Sequence, residues 1–304
     1  MALEEKITYS TCPLCDSPDV APEREIKDFS VSGEVFPVWK CNDCTGLFTQ
    51  NIPSQKDIGR YYESEQYISH TEASSGLMNS AYLKVRNITL RSKYAIVKKY
   101  CKKDAGNLLD FGAGTGAFVS HMRSRGWKVE GIEPSETARK NAIIHHKLVL
   151  LEPERLNGLE DASYDAITLW HVLEHVHHLK PSLEKLLAKL KPEGRIFIAV
   201  PNYTSYDAAV YGDFWAAYDV PRHLYHFSPY AFRKFSETVS LEVETILPMW
   251  FDSFYVSMLS EKYRSGKTKI IPSLLNGVLS NLKAIFIPGR SSSVVYVCKK
   301  KPKD

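Results

Sequence analysis

The sequence predicts an α/β fold, a doubly wound and mainly parallel sheet with helices on both faces, preceded by a small cysteine-rich module. Three observations predict it. From Gly106 onwards short apolar runs alternate with stretches of helical periodicity, a glycine-rich loop follows the first run, and two Cys-x-x-Cys pairs lie within the first 50 residues. Strands that alternate with helices are typical of parallel sheets, because each helix returns the chain to the edge where the next strand begins.

The overall composition sets limits on the class of protein. The chain has 304 residues, of which 44% are hydrophobic and 24% charged, and its net charge is +4. This is enough for one large domain with attachments, and too weakly basic to indicate nucleic-acid binding by itself. No apolar run approaches the ~20 residues that span a bilayer, and the first residues lack a signal-peptide pattern, so we expect a cytoplasmic protein.

The N-terminal module, residues 1–53, is predicted from its paired cysteines. Cys12-Pro-Leu-Cys15 and Cys41-Asn-Asp-Cys44 each offer two thiolates from a tight turn, and two such units complete a tetrahedral zinc shell. In a reducing compartment this pattern favours a metal over disulfides. We therefore expect a structural zinc in a zinc-ribbon-like module. Lys and Arg are sparse around these cysteines, which disfavours nucleic acid as its partner.

The next segment, residues 54–104, is predicted to be a helical linker or cap. Apolar residues recur at roughly helical spacing between residues 76 and 101. Tyr61, Tyr62 and Tyr67 precede this stretch. They could close over a ligand, or they could be exposed residues of the linker.

The last segment, residues 105–304, contains the alternating elements. Strands are predicted at 108–111, 128–133, 148–151, 164–170, 195–200, 241–247 and 294–298, and helices at 117–125, from 134 onwards, at 183–190 and at 229–239. The helix at 183–190 repeats leucine at i, i+3, i+4 and i+7, which is typical of one buried face. At the start of the helix at 229–239, Ser228-Pro229 supplies an N-cap and a first helical residue. The aromatic-rich, irregular stretch 202–227 indicates a functional loop.

The glycine loop is the first candidate binding feature. Asp110-Phe-Gly-Ala-Gly-Thr-Gly116 joins a strand to a helix, where small residues let a ligand approach the backbone and the helix start presents free amides. Glu133 ends the second strand about 20 residues later, and a carboxylate there can accept both hydroxyls of a ribose. These features predict a nucleotide-type cofactor and fit NAD as well as S-adenosylmethionine.

Further motifs separate these two cofactors. The loop is followed by Gly131-Ile-Glu-Pro-Ser135, Tyr164-Asp-Ala-Ile, Val172-Leu-Glu-His-Val176, Leu190-Lys-Pro-Glu-Gly194 and Val200-Pro-Asn202. In this order and spacing the motifs resemble the class I S-adenosylmethionine-dependent methyltransferases over most of the last segment. The resemblance implies a seven-stranded sheet whose last strand, 294–298, is antiparallel.

The resemblance also implies which residues contact the cofactor. Six positions of this chain match those of the family: Asp110, Gly112, Gly114 and Gly116 for the methionine part, Glu133 for the ribose, and His171 near the sulfonium. The stretch around 151–152 is implied to flank the adenine.

The module resembles the same family more narrowly. Residues 39–48, followed by residues 57–62, resemble the zinc-bearing N-terminal part of one methyltransferase subgroup. That subgroup is similar to both quinone O-methyltransferases and deoxysugar C-methyltransferases. The resemblance is weakest from 250 to 292, where apolar residues at helical spacing favour core or a homodimer surface. A cover over a greasy substrate, or a peripheral membrane contact, is the alternative.

Histidines supply the candidate catalytic groups. His171, Glu174 and His175 have a spacing that can place them on one helical face. The quinone O-methyltransferases that this stretch resembles bind a divalent metal here through acidic residues and a His. His171 stands at the first acidic position, so a structural role, a general base and a metal site all stay open.

A second polar cluster, residues 219–228, lies in the irregular stretch. His223 or His226 could take a proton from a substrate hydroxyl, and Arg222 could bind an anionic group through two hydrogen bonds. A loop pinned by polar contacts is the alternative interpretation.

We therefore predict a methyltransferase that moves a methyl group from S-adenosylmethionine to an O or C centre of a small molecule, such as a sugar, quinone or lipid-like metabolite. His175 or His223 is the expected base. The rivals are an RNA methyltransferase that uses the zinc module as its grip, an NAD-dependent oxidoreductase, and a catalytically silent binding module.

Overall fold

A computed structural model describes residues 6–63 and 77–301, and the side chains of all of these except 77–82. Tyr67 lies outside the described residues. The strands are β1 (Lys6–Ile7), β2 (Val20–Lys27), β3 (Val35–Cys41), β4 (Leu47–Thr49), β5 (Ile52–Pro53), β6 (Asn107–Phe111), β7 (Lys128–Ile132), β8 (Tyr164–Trp170), β9 (Leu190–Pro201), β10 (Tyr225–His226), β11 (Leu241–Met249) and β12 (Ser293–Lys300). The α-helices are α1 (Leu77–Cys101), α2 (Ala117–Ser124), α3 (Glu136–His146), α4 (Leu179–Lys189), α5 (Tyr206–Tyr211), α6 (Pro229–Thr238), α7 (Asp252–Ser265) and α8 (Ile270–Phe286).

The central sheet has the order β11-β12-β9-β8-β6-β7. The four strands β7, β6, β8 and β9 are parallel, and β12 is antiparallel to both of its neighbours, as the sequence predicts. Alternate residues of each inner strand lie on opposite faces of the sheet, and each face packs in its own hydrophobic core. Leu109 and Ile198 pack with side chains of α4 and α6, whereas Leu108 and Phe197 pack with side chains of α1 and α2. Burial on both faces explains why these strands are continuous apolar runs.

The predicted strand at 148–151 is not a strand of this sheet. Leu151 forms a single parallel bridge to Ile132. Leu148 and Leu150 instead pack beneath the glycine loop and β7, and Pro153 opens a 3₁₀ turn directly afterwards. Proline has no N–H with which to continue a ladder. The described part of the sheet therefore has six strands, with a bridge in the place of the seventh.

β9 begins earlier than predicted. It starts at Leu190, which pairs with Tyr164, while Arg195 already pairs with Ala166. The Lys-Pro-Glu-Gly stretch between them forms a bulge. Turn-forming residues inside a strand explain why the sequence places its start five residues too late.

The N-terminal residues form a second sheet that is joined to the rest of the chain. Its order is β10-β4-β3-β2, so its edge strand β10 comes from the predicted irregular stretch. Tyr225 pairs with Phe48, and His226 with Leu47. The buried cysteines of the module belong to the same hydrophobic core as the α/β sheet. The segment boundaries at 53 and 104 stay predictions.

Candidate functional site

The glycine loop, residues 112–116, lies between β6 and α2 at the carboxyl edge of the sheet. Gly112, Gly114 and Gly116 all have positive φ, of 81°, 54° and 78°, which only glycine adopts without strain. A Cβ on Gly112 would lie 2.3 Å from a methyl group of Val172, whereas a Cβ on Gly114 would meet no described atom within 4 Å. The loop therefore packs against Val172 at Gly112 and leaves open space for a ligand at Gly114.

Glu133 lies against this loop. Its carboxylate accepts hydrogen bonds from the amides of Gly114, at 2.7 Å, and Ser135, at 2.9 Å. Burial raises the pKa of Glu133. Each carboxylate oxygen has a further lone pair. The predicted role as acceptor for two ribose hydroxyls is compatible with these contacts and stays a prediction.

Asp110 is buried at the end of β6. Thr168 of the neighbouring strand β8 donates to its carboxylate at 2.6 Å, and burial raises the pKa of Asp110 to about 6. The predicted contact of Asp110 with the methionine part of the cofactor stays a prediction.

His171 directly follows β8 and has a positive φ of 58°. Its Nε2 lies 2.8 Å from a carboxylate oxygen of Asp252, the first residue of α7, and its Nδ1 lies 3.4 Å from Glu174. Burial lowers the pKa of His171, but the two carboxylates outweigh burial and raise it to about 10. Both ring nitrogens of His171 thus lie near carboxylates, which favours the protonated ring. Its predicted place beside the cofactor stays a prediction.

The structure instead brings His223 to the turn that holds Glu174 and His175. One ligand atom from each of these three side chains lies within 4.8 Å of the others. The two imidazole rings are 4.6 Å apart, and the amide of Leu224 donates to the carbonyl of Glu174 at 2.7 Å. A backbone hydrogen bond thus fixes the two segments side by side.

The protonation of this cluster follows from its contacts. His175 Nδ1 donates to the carbonyl of Arg222 at 2.9 Å, and burial lowers the pKa of His175 to about 4. His223 Nδ1 donates to the carbonyl of Ala217 at 2.8 Å. With Nδ1 as the donor in a neutral ring, Nε2 is the basic nitrogen. Glu174 is fully buried, and among the described residues its carboxylate has an ion contact with His171 but no hydrogen-bond partner.

The contacts of Arg222 favour the second interpretation from the sequence, a loop pinned by polar contacts. The guanidinium of Arg222 is fully buried and donates to the carboxylates of Asp28 and Asp219, both at 2.8 Å, and to the carbonyl of Tyr61 at 2.7 Å. Burial raises the pKa of Asp28, but Arg222 outweighs burial and lowers it to about 2. The ion pair fastens the loop to the N-terminal module, because that module supplies Asp28.

His226 is also a structural residue of this loop. Its Nε2 lies 3.1 Å from the hydroxyl of Thr49 in β4, and burial lowers its pKa well below the usual value. Of the aromatic residues before α1, Tyr62 reaches the site, since its hydroxyl lies 3.1 Å from His175 Nδ1. Tyr61 instead donates to Glu34.

The four cysteines of the two pairs converge. Cys12 Sγ lies 3.6 Å from Cys44 Sγ, and Cys15 Sγ lies 3.5 Å from Cys41 Sγ, with all four thiols free. Zinc–sulfur bonds of about 2.3 Å at tetrahedral angles place sulfurs about 3.8 Å apart, so this spacing fits a zinc ion. In the turn of the second pair, the amide of Cys44 donates to Cys41 Sγ and the amide of Gly46 donates to Cys44 Sγ, as amides do around metal-bound thiolates.

Comparison with known proteins identifies the family to which this chain belongs. The profile of the family described as "Methyltransferase domain" matches residues 82–246, just over half of the chain. A "Ubiquinone biosynthesis O-methyltransferase" of Nitrosococcus oceani is 27% identical over 191 residues, which cover 59% of this chain and 78% of that protein. One of the same name from Haemophilus ducreyi is 33% identical over 108 residues, or 32% of this chain and 46% of its own length.

Among solved structures, the 1,6-didemethyltoxoflavin-N1-methyltransferase of Burkholderia thailandensis, bound to 1,6-didemethyltoxoflavin and S-adenosylhomocysteine, shares the fold. Its TM-score is 0.50 at 13% identity, over 86% of this chain and 98% of that chain. Both the fold and the family agree with the resemblance that the motifs indicate.

Proposed function

This chain belongs to the methyltransferase domain family and is an S-adenosylmethionine-dependent methyltransferase, and we propose that it methylates a hydroxyl oxygen of a small molecule. The observation that supports the acceptor class is the pair of imidazoles of His175 and His223, in a cluster that begins two residues after Val172, which packs against Gly112 of the glycine loop. Relatives named as ubiquinone biosynthesis O-methyltransferases agree with a hydroxyl acceptor.

The proposed contacts to the cofactor follow the loop. Glu133 would accept from the ribose, the open face at Gly114 would admit the ligand, and Asp110 and His171 would lie at the methionine end. The cofactor supplies a methyl group on a sulfonium, which is a good leaving group. The protein then has to align the acceptor with that methyl group and exclude water.

The proton of the acceptor needs a base. We assign this role to the histidine pair, because burial keeps His175 neutral and its Nε2 can accept a proton. The imidazole would take the proton of the acceptor hydroxyl as the acceptor oxygen takes the methyl group, and the cofactor would leave as S-adenosylhomocysteine. A weakly basic imidazole favours an acidic hydroxyl, such as a phenol with pKa of about 10, over an aliphatic one.

A divalent cation is a second proposal for the same cluster. The buried Glu174 carboxylate has no hydrogen-bond partner among the described residues, which suits a bound cation, and His175 and His223 would complete the donor set. Such an ion would lower the pKa of an acceptor hydroxyl. Because His171 is held by two carboxylates, it would not take part.

The test is transfer of labelled methyl from the cofactor to a panel of phenols, sugars and RNA, with and without added Mg²⁺. We expect labelling of phenols. Labelling of RNA alone, or stabilisation by NADH and not by S-adenosylhomocysteine, would overturn the proposal.

Substitutions of His175 and His223 test whether these side chains act as the base. His175→Gln and His223→Gln should each lower turnover by about a hundredfold or more, with the affinity for S-adenosylhomocysteine nearly unchanged. His177→Gln is the matched control, because the part-buried imidazole of His177 donates to the carbonyl of Pro53 outside the cluster. Full turnover in both cluster variants would remove the histidine pair as the base.

A further inference from the structure

Helix α8 has the opposite arrangement from helix α4. In α4 the buried face is apolar and consists largely of leucine. In α8 the buried face consists of small residues, Ser273, Gly277, Ser280 and Ala284. The exposed face carries the large apolar side chains: Ile270, Ile271, Leu274, Leu275, Val278, Leu279, Leu282, Ile285 and Phe286. A continuous apolar surface of this size on a folded protein marks an interaction site.

The orientation of α8 is fixed by its inner contacts. A Cβ on Gly277 would lie 2.5 Å from the ring of Phe254 in α7, so no larger side chain fits at that position. Ser280 donates to Asp207 at 2.9 Å, and Asn276 donates to the hydroxyl of Tyr211 at 2.9 Å. A rotation that buried the leucines would break these hydrogen bonds and force large side chains into space for small ones. The apolar face therefore points outward in the folded chain.

The charged residues of the chain segment that contains α8 are all of one sign. Residues 262–301 contain no Asp or Glu. The basic residues on and beside the helix are Lys262, Arg264, Lys267, Lys269, Lys283 and Arg290. Lys267 and Lys269 are exposed just before the helix begins. An apolar helical face with basic flanks and no acidic residue is complementary to an anionic lipid surface.

We propose that α8 docks this methyltransferase on the surface of a bilayer that contains anionic lipid, with the helix lying in the plane of the interface. None of the helices within the described residues is long and apolar enough to cross a membrane. The 17 residues of α8 therefore lie on the bilayer. The alternative occupant, a second copy in a two-fold contact, would bring the same lysines of both copies together without an acidic partner in residues 262–301.

The docking surface is connected to the candidate active site. α8 packs on α7 through contacts such as the hydrogen bond from Ser253 to the carbonyl of Gly277. The residue before Ser253 is Asp252, whose carboxylate contacts His171. Docking is independent of the identity of the methyl acceptor, so it can be measured without turnover.

The experiment is flotation of the full-length protein with vesicles of phosphatidylcholine and with vesicles of an equimolar mixture of phosphatidylcholine and phosphatidylglycerol. We expect binding to the mixed vesicles that weakens as salt is added. The triple variant Ile271→Gln, Leu275→Gln and Phe286→Gln should reduce vesicle-bound protein about a hundredfold. The double variant Lys267→Gln and Lys269→Gln should reduce it roughly tenfold.

Matched controls remove exposed residues of the same kinds elsewhere. Ile144→Gln with Val149→Gln, and Lys128→Gln with Lys185→Gln, change exposed residues away from α8 and should bind as wild type. Circular dichroism confirms that each variant is folded. Wild-type protein that stays unbound in the presence of mixed vesicles would overturn the proposal. Binding of the triple variant to mixed vesicles as strong as that of wild type would also overturn it. The same holds if the wild type does not bind vesicles but forms a dimer that the triple variant converts to a monomer.

Discussion

The two halves of the candidate site are built in different ways. The cofactor half, residues 110–133, is one stretch of chain in which glycines, backbone amides and one carboxylate form the proposed binding surface. The acceptor half combines the turn 171–175 and the loop 219–226, which Asp28 of the N-terminal module pins through Arg222. The first half depends on local backbone geometry. The second depends on side chains that are distant in sequence, so its integrity should depend on the stability of the module.

The largest expected effect is removal of the metal that the four cysteines are proposed to hold. Cys41→Ser, or a strong chelator, should unfold the module, because zinc contributes roughly 10 kcal/mol to the folding of such small sites. Since β4 of the module pairs with β10, the acceptor half should lose its order and turnover should vanish. The cofactor half should still bind S-adenosylhomocysteine. Hydrogen exchange read by mass spectrometry measures both halves in one experiment.

Cys101→Ser is the matched control for that substitution. Cys101 lies in α1 outside the cluster, and its thiol contacts only the carbonyl of Asp165. It should exchange as wild type. A zinc-free preparation with a protected module, or equal loss of protection in the cofactor half, would contradict the comparison.

The next largest effect should come from Asp28→Asn. This substitution leaves the buried Arg222 with one carboxylate instead of two, and breaking a buried ion pair costs about 3–5 kcal/mol. Asp161→Asn, which removes a largely exposed carboxylate that pairs with Lys189, should cost at most about 1 kcal/mol. Urea unfolding measures both. A cost below that of the control would show that the ion pair does not hold the loop.

The pH dependence of the Asp28 contribution has a definite sign. The pKa of Asp28 is lowered from 3.8 to about 2, so the folded state favours the charged form. Its stabilising contribution is fully present above pH 3.8 and is lost as the pH falls through about 2. The difference in stability between wild type and Asp28→Asn should therefore shrink across this acid range. A difference that stays constant there would contradict the assignment.

The same contrast explains what the sequence could and could not predict. The cofactor half is local, so the glycine spacing was sufficient to predict a loop between a strand and a helix, whereas its contacts with the cofactor stay predictions. The predicted strand at 148–151 is reduced to one bridge, because Leu148 and Leu150 pack beneath the loop and only Leu151 pairs with β7. For Arg222 the sequence left a ligand role and a structural role open, because its partner Asp28 is 194 residues away and no local pattern links the two.

Asp252 was missed for the same reason. It is the first residue of α7 and contacts His171 from a segment where the family resemblance is weakest. The buried face of α8 could not be predicted either, because small residues at helical spacing do not show which side of an apolar helix is covered.

Within the cofactor half, a pair of glycine substitutions separates stability from affinity. Gly112→Ala and Gly114→Ala both place a side chain at positive φ, at a cost of about 1 kcal/mol each. Gly112→Ala adds an overlap with Val172, so its total cost should be about 3 kcal/mol in unfolding free energy. Gly114→Ala meets no protein atom but projects toward the proposed ligand, so it should lower affinity for S-adenosylhomocysteine more than stability. The reverse order, measured by urea unfolding and calorimetry, would show that the open face is not the ligand side.

The smallest expected effect, Glu133→Gln, tests the ribose contact itself. The substitution keeps the shape of the side chain but removes the charge and one of two acceptor oxygens, while the amides of Gly114 and Ser135 still seek acceptors. Hydrogen bonds to charged groups contribute about 1.5–3 kcal/mol, so affinity for S-adenosylhomocysteine should fall roughly ten- to a hundredfold. Glu237→Gln is the control, because Glu237 pairs on the surface with Lys234 in α6. Equal affinities of both variants in calorimetry would remove the ribose role of Glu133, and cofactor recognition would then depend on the loop amides alone.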